Sequence, residues 1–218
     1  MAEVNLLKSL PQTKRNIQMR AAAKDPNVIA LARQYGQDYF DGAREHGYGG
    51  YRYDGRWLPV ARDIVAHFGL KPGMRVLDVG CAKGFLVKDL MLVCPGLEAF
   101  GVDVSDYALM HCEKEAVGRL HLGSADRLIF PDASFDCVLA INTVHNLARP
   151  RAVAALREIQ RLCRGRAFVQ VDSYRTPEQK AVFESWVLTA EFHDYPEGWL
   201  RLFAEAGYTG DYDWTIVD

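Results

Sequence analysis

The sequence predicts an α/β fold: a doubly wound, mostly parallel sheet of six or seven strands with an N-terminal helical extension. Short apolar runs alternate with stretches of helical periodicity, which is typical of buried parallel strands joined by helices. The first apolar run, 74–79, ends in a glycine turn that leads directly into the helical stretch 85–92. The length of 218 residues is sufficient for one such domain.

The elements follow one another without an internal repeat, a low-complexity tract or a Pro/Ser-rich linker. We therefore expect a single domain, in which residues 1–57 form a helical arm and an aromatic lid segment, and 58–218 form the core. The predicted strands are 74–79, 98–104, 119–123, 135–141 and 166–172, followed by one or two strands within 208–217. The predicted helices of the core include 58–68, 152–162, 177–190 and 199–206.

The composition excludes several classes of partner. Charged residues make up 25% of the chain and the net charge is −2, which argues against a nucleic-acid partner. The basic residues of the N-terminal segment are typical of a solvated helix face. They are Lys8, Lys14, Arg15, Arg20 and Lys24.

The five cysteines are scattered and form no C-x-x-C pair, so we expect neither a disulfide framework nor a metal site. No apolar run reaches membrane-spanning length and no signal-like block opens the chain, so we expect a cytoplasmic protein without a membrane partner.

The glycine turn is the first candidate binding feature. It reads Asp78-x-Gly80-x-Ala82-x-Gly84, with Cys81 next to the first glycine. Glycine lets the backbone adopt otherwise forbidden dihedral angles and lets a ligand approach closely, and N–H groups at a helix start face such a ligand. A strand–turn–helix corner without a ligand is the alternative explanation.

An acid at the end of the next strand strengthens the nucleotide interpretation. Asp103 closes that strand about twenty residues beyond the glycine turn, and Val104 follows it. A carboxylate at this position suits bidentate hydrogen bonding to ribose hydroxyls. Alternatively, Asp103 caps the following helix, although Ser105 is equally placed to do so.

These residues resemble motif I and the following acid of the class I S-adenosylmethionine (SAM) methyltransferases, and in particular the type 11/25 group. The stretch 123–136 resembles that family's adenine-side motif, G-D-A-x-x-L-P-F-P-D-x-S-F-D. The resemblance implies SAM as the cofactor, with Ser124 and Ala125 beside the adenine. Ser124 stands where the family usually has Asp, so Asp126 is an alternative acceptor for the adenine amine.

The stretch 47–57 is rich in glycine and aromatic residues, which suits a wall around a ligand or a cover over the sheet edge. The resemblance implies that this segment folds over SAM. By position, Tyr53 and Arg56 are candidates for binding the cofactor, and Tyr51 is a candidate for the acceptor side.

His145 is the predicted catalytic residue. It follows the fourth predicted strand at the ligand edge of the sheet, between Asn142 on the cofactor side and Asn146 on the acceptor side. A histidine can take a proton from a hydroxyl near neutral pH, or it can merely orient the loop. Tyr174 and His193 complete the predicted acceptor site.

The resemblance implies transfer of the SAM methyl group to a small-molecule acceptor, such as a sugar or secondary-metabolite hydroxyl. The wider sequence pattern also resembles that of a bacterial group of proteins, which tends to accompany polysaccharide and secondary-metabolite enzymes. One alternative is a non-catalytic SAM- or nucleotide-binding subunit or regulator. A nicotinamide-dependent oxidoreductase is disfavoured, because the third fingerprint glycine is missing. The sequence leaves a homodimer open.

Overall fold

The computed structural model describes residues 1–11 and 17–216, so Lys14 and Arg15 lie outside the described residues. Its centre is a six-stranded sheet with the strand order β3-β2-β1-β4-β5-β6. Every pair of neighbouring strands is parallel, which confirms the predicted fold class. The strands are β1 Arg75–Val79, β2 Glu98–Asp103, β3 Leu120–Leu122, β4 Cys137–Ile141, β5 Ala167–Ser173 and β6 Asp211–Ile216.

Helices cover both faces of the sheet because the strands are apolar on both sides. From β1, Leu77 and Val79 enter one core, while Val76 enters the other. The first core includes side chains from the helices Arg149–Leu162 and Pro196–Ala206, and the second includes side chains from the helices Trp57–Phe68 and Phe85–Val93. The α-helices are α1 Ile17–Ala23, α2 Pro26–Ala32, α3 Gln37–Asp41, α4 Trp57–Phe68, α5 Phe85–Val93, α6 Asp106–Met110, α7 Arg149–Leu162, α8 Pro177–Trp186 and α9 Pro196–Ala206.

The N-terminal residues 1–11 extend the sheet beyond β6 and form no helix. The Val4 N–H donates to the Tyr212 carbonyl at 2.8 Å, and the Tyr212 N–H donates to the Ala2 carbonyl at 3.0 Å. Leu6 is 3% exposed within the core that α4 and α5 cover. The helical part of the predicted arm is therefore α1 to α3.

The strand order reverses between β1 and β4, which opens a crevice at the carboxyl ends of these strands. Gly80 follows β1 and Asn142 follows β4, so the two residues flank the crevice. The Thr143 hydroxyl donates to the Val79 carbonyl at 2.9 Å and links the two strand ends. The fold thus brings the predicted glycine turn and the predicted acceptor loop to one place.

Candidate functional site

The turn after β1 requires glycine at its first position. Gly80 has a φ of 83°, and a Cβ there would lie 2.0 Å from the Thr143 hydroxyl oxygen. Ala82 has a φ of 49°, in the left-handed region that costs a residue with a Cβ roughly 1–2 kcal/mol. Gly84 has a φ of 75° and precedes α5. The turn therefore keeps a strained backbone that lies open to the crevice.

Asp103 is oriented by the backbone around it. The Ala82 N–H donates to Asp103 Oδ2 at 2.7 Å, and the Ser105 N–H donates to Oδ1 at 2.9 Å. Burial raises the pKa of this carboxyl group, while these hydrogen bonds lower it. The Ser105 side chain accepts from the Ala108 N–H and is itself the N-cap of α6. Asp103 is thus not needed as the helix cap, and each oxygen retains a second lone pair for a ligand hydroxyl.

A cavity of about 350 Å³ lies against this carboxylate. Gly80 and Ala82 line one side, and Ser124 and Ala125 line another. Val104 also lines the cavity and is 50% exposed, so it offers an apolar surface to a flat ring. We call this space the nucleoside cavity.

Asp126 lies outside the lining of the nucleoside cavity. Its carboxylate forms an ion pair with Arg151 at 2.6 Å and accepts a hydrogen bond from the Ser124 hydroxyl. The hydrogen bond from Arg151 lowers the pKa of Asp126. Arg151 also donates to the Ser124 hydroxyl at 3.0 Å, but Ser124 lines the cavity and Asp126 does not, so Ser124 is the better placed of the two to face an adenine amine.

A smaller cavity of about 60 Å³ adjoins the other side of the glycine turn. Its lining includes Asp78, Cys81, Tyr51 and Trp57. Asp78 is 5% exposed, and burial, together with the nearby charge of Asp103, raises its pKa to about 7. A buried carboxyl group of this kind is stabilised as an anion when a cationic ligand binds beside it.

A third cavity, of about 180 Å³, extends from the ends of β4 and β5 to α1. We call it the acceptor cavity. Its polar lining includes His145, Asp172 and Asn146, and its apolar lining includes Trp186 and Leu188. Asn146 Oδ1 is buried and has no hydrogen-bond partner among the described residues.

The three cavities share two lining residues. Tyr48 and Asn142 line all of them, and Asn142 has a φ of 55°, which is uncommon for a residue with a side chain. Two ligands that occupy the nucleoside cavity and the acceptor cavity would therefore meet beside Tyr48 and Asn142.

His145 uses both ring nitrogens for contacts with Asp172. The Asp172 backbone N–H donates to Nδ1 at 3.0 Å, so the ring carries its proton on Nε2. Nε2 lies 3.4 Å from Asp172 Oδ2. His145 is only 4% exposed. Both residues line the acceptor cavity, but the two ring nitrogens of His145 are directed to Asp172, so His145 is a positioning residue and the Asp172 carboxylate is the better candidate for accepting a proton from an acceptor.

Aromatic side chains from α2 to the loop after α3 cover the glycine turn. We call this group the aromatic cap; its members are Tyr35, Tyr39, Phe40, Tyr48 and Tyr51. The Tyr51 ring stacks on Phe85, the first residue of α5, with the ring centroids 4.6 Å apart.

A partly buried ion pair attaches the aromatic cap to the turn. The Lys83 ammonium group lies 2.6 Å from Asp41 Oδ2 and also donates to the Tyr51 carbonyl at 3.0 Å. The Tyr107 hydroxyl donates to Asp41 at 2.8 Å, and these hydrogen bonds outweigh burial and lower the pKa of Asp41. Lys83 lies within the turn motif, yet its pairing with Asp41 spans 42 residues and has no local signal in the sequence.

Like Gly84 and Asp126, the predicted cofactor residues Tyr53 and Arg56 line none of the three cavities. The Tyr53 hydroxyl donates to Asp89 at 2.7 Å, and this contact raises the pKa of Tyr53 to about 12. Arg56 is exposed and forms an ion pair with Asp54 at 2.5 Å. Because both side chains have these partners, the structure favours Tyr51 and Trp57 as the residues that face the methionine end of a cofactor.

Two predicted acceptor residues support the wall of the acceptor cavity from outside. The Tyr174 hydroxyl lies 3.0 Å from His193 Nδ1, and Tyr174 is 2% exposed. Tyr174 packs with Trp186, which lines the cavity. Burial lowers the pKa of His193. Neither residue belongs to the lining of the acceptor cavity.

Arg20 and Arg44 line the acceptor cavity although the sequence pattern assigned Arg20 to a solvated face and did not single out Arg44. Among the described residues, no three His, Cys, Asp or Glu side chains are placed to hold a metal ion. No helix in the described ranges is long and apolar enough to cross a bilayer.

Comparison with known proteins agrees with this geometry. Residues 77–171 match the model of the methyltransferase domain. These residues form a class I, SAM-dependent methyltransferase domain. The chain also superposes on a SAM-dependent methyltransferase from Archaeoglobus fulgidus with a TM-score of 0.54, which covers 78% of this chain and 72% of that one at 21% identity and thus supports the fold.

Relatives of known activity match less than half of this chain. A sterol 24-C-methyltransferase from Gibberella zeae is 34% identical over 107 residues, which cover 45% of this chain and 27% of the relative. A nocamycin O-methyltransferase from Saccharothrix syringae is 34% identical over 89 residues, which cover 38% and 32%. The chain thus matches about a third or less of the length of these relatives. Much of the acceptor cavity comes from 17–48 and 186–189, outside the matched domain.

Proposed function

We propose that this protein transfers the methyl group of SAM to a small-molecule acceptor. The observation that carries the proposal is the meeting of three cavities at Tyr48 and Asn142, one of them lined by the Asp103 carboxylate. When bound, SAM supplies a methyl group that its positively charged sulfur activates for displacement. The chain's part is to hold the two ligands in line and to exclude water.

The lining residues fit SAM chemically. Asp103 would accept hydrogen bonds from the ribose hydroxyls, and Val104 with Ala125 would contact the adenine. Asp78 would face the cationic end of the cofactor together with Tyr51. Its raised pKa supports this role, because a buried acid is an unfavourable anion until a positive charge binds beside it.

Asp172 would take the proton that a hydroxyl acceptor loses as its oxygen bonds to the methyl carbon. The carboxylate lines the acceptor cavity, and His145 Nε2 lies 3.4 Å from its Oδ2 atom. The Trp199 indole N–H also donates to the Asp172 carbonyl at 3.1 Å and fixes the backbone. In this arrangement, His145 positions Asp172.

The shared lining of the nucleoside cavity and the acceptor cavity favours an enzyme over a non-catalytic SAM-binding subunit or regulator. A binding module needs a site for SAM alone, whereas here a second cavity of about 180 Å³ shares Tyr39, Tyr48, Asn142 and Asn146 with the nucleoside cavity. The volume of the acceptor cavity also supports a small acceptor rather than a sterol, since it is below the volume of about 300–1,000 Å³ that is typical of pockets for drug-sized ligands.

Turnover of methyl-labelled SAM tests the proposal. The purified chain is incubated with labelled SAM and a panel of phenols, sugar nucleotides and hydroxy acids, and the label in the acceptor fraction is measured. We expect label transfer that depends on the acceptor and is lost in Asp172→Asn. Saturable SAM binding without acceptor-dependent transfer across the panel would favour the non-catalytic alternative.

A cytoplasmic location and a homodimer also remain proposals. Exposed apolar side chains lie on β3 and on segments near it, including Met110, Leu122 and Ile129. Sedimentation of the purified chain would measure whether two copies associate, and a single species of about 24.5 kDa would contradict the dimer.

A further inference from the structure

Two arginines converge on one wall of the acceptor cavity. Arg20 comes from α1 and Arg44 from the loop after α3, and both guanidinium groups donate to the same oxygen, the carbonyl of Gly47. Arg20 also donates to the Arg44 carbonyl at 3.0 Å. Two nitrogens that share one acceptor lie within roughly 6 Å of each other, twice the length of a hydrogen bond.

The residues around them fix the positions of the two guanidinium groups. Gly47 is buried, and a Cβ there would lie 2.2 Å from the Tyr39 carbonyl oxygen, so no other residue fits without displacing the loop. The Arg20 guanidinium carbon lies 5.7 Å from the centre of the Trp186 ring, which holds the side chain against the cavity wall. The loop at Gly47 and the ring of Trp186 therefore fix the positions of the two arginine side chains.

The lining residues that follow the strands have a different character. Asp172, His145 and Asn146 lie at the ends of β4 and β5. The cavity thus has two guanidinium groups on the side of α1 and a carboxylate on the side of the sheet. A ligand that matches this distribution has an anionic group at one end and a proton-donating nucleophile at the other.

We propose that Arg20 and Arg44 bind an oxyanion of the methyl acceptor, so that the acceptor is a small acid with its nucleophilic group directed towards Asp172. This inference rests on the proposed function and specifies its substrate class. Guanidinium groups bind carboxylate and phosphate through paired hydrogen bonds.

The size of the cavity limits the rest of the acceptor. Its volume of about 180 Å³ is close to that of a cavity of about 150 Å³ that holds benzene. Trp186, Val187 and Leu188 provide apolar contacts along its length. The acceptor that fits is an acid with one ring or a chain of similar volume.

The test measures the binding of three one-ring probes to the chain loaded with S-adenosylhomocysteine (SAH), the demethylated product of SAM. Benzoate and phenyl phosphate carry the two kinds of oxyanion, and benzamide is the neutral probe that matches benzoate in shape. We expect at least one anion to bind tenfold or more tightly than benzamide in calorimetric titrations. The tighter anion identifies whether the site prefers carboxylate or phosphate.

Substitutions test whether Arg20 and Arg44 cause the preference for the anionic probes. Arg20→Gln and Arg44→Gln should each reduce the preference for the anion about tenfold, while Arg20→Lys should retain part of it because the charge remains. Arg62→Gln is the matched control, since Arg62 is exposed on α4 and lines none of the three cavities. Thermal unfolding of each variant checks that it is folded.

Equal binding of benzamide and both anions would overturn the inference, and so would a preference that survives in Arg20→Gln and Arg44→Gln. Failure of both anions to bind the SAH-loaded chain would overturn it as well. Failure of SAH itself to bind would instead contradict the proposed function, so the two failures are distinguishable.

Discussion

At the scale of single residues, Asp78 makes the stability of the ligand-free protein depend on pH. Burial and the charge of Asp103 raise the pKa of Asp78 to about 7, from an unfolded value near 3.8. Between these values the folded chain holds a proton that the unfolded chain has lost. The free energy of unfolding therefore falls as the pH rises from about 4 to 7, by up to about 1.4 kcal/mol per pH unit from this group.

Urea unfolding of the wild type and Asp78→Asn at pH 5, 6, 7 and 8 measures this dependence. The variant should lose the Asp78 contribution and become the more stable of the two near pH 8. His193 acts in the opposite direction because its pKa is lowered, but it does so equally in both proteins. If the two stability curves run parallel from pH 5 to 8, Asp78 does not carry a raised pKa.

Asp172 and His145 differ in the size of the effect that we expect on catalysis. Asp172→Asn removes the group that faces the acceptor and should lower turnover of a hydroxyl acceptor roughly 10²–10⁴-fold with little change in SAM affinity. His145→Gln disturbs only the support behind Asp172 and should lower turnover less, with an altered pH profile. A loss in His145→Gln that equals or exceeds the loss in Asp172→Asn would return the role of base to His145.

At the scale of secondary-structure elements, the aromatic cap is the part that we expect to respond to the cofactor. Lys83 links it to the glycine turn through Asp41 and the Tyr51 carbonyl. Hydrogen exchange of 37–57 should slow when SAH binds, because the cap then packs on ligand as well as on protein. Asp41→Asn should speed exchange in this segment without SAH. Equal exchange with and without SAH would indicate that the cap only covers the edge of the sheet.

Local patterns predict the strands well, since each strand is an apolar run that begins and ends at a turn. They predict the contacts of the arm poorly. Leu6 enters the core and Arg20 lines a cavity only because 1–11 pair with β6 and α1 packs on α8. Such contacts join residues far apart in the chain, so a basic residue among apolar ones looks the same whether it faces water or a ligand.

At the scale of the whole molecule, the cofactor side and the acceptor side have different origins. The nucleoside cavity is built around a turn and a strand end whose residues form recognisable motifs, and Asp78, Gly80 and Asp103 could be named from spacing alone. The acceptor cavity combines α1, the loop after α3 and the end of α8 with the sheet. Tyr53 was predicted and Tyr48 was not, because the sequence does not show which tyrosine of a glycine-rich loop points inwards.

The match to the methyltransferase-domain model covers the two sides unequally. Residues 77–171 include Asp78, Gly80 and Asp103 of the cofactor side, while the acceptor wall comes largely from segments outside this range. The acceptor therefore has to be inferred from the cavity itself, and the cavity of this chain carries two arginines and one aspartate.

The most direct measurement is a calorimetric titration of the chain with SAH, in the wild type, Asp103→Ala and the exposed control Asp106→Ala. We predict one site per chain and an affinity that falls at least tenfold in Asp103→Ala, since each lost hydrogen bond to a charged group is worth about 1.5–3 kcal/mol. Asp106→Ala should bind like the wild type. Absence of saturable SAH binding, or an unchanged affinity in Asp103→Ala, would contradict the assignment of the nucleoside cavity to SAM.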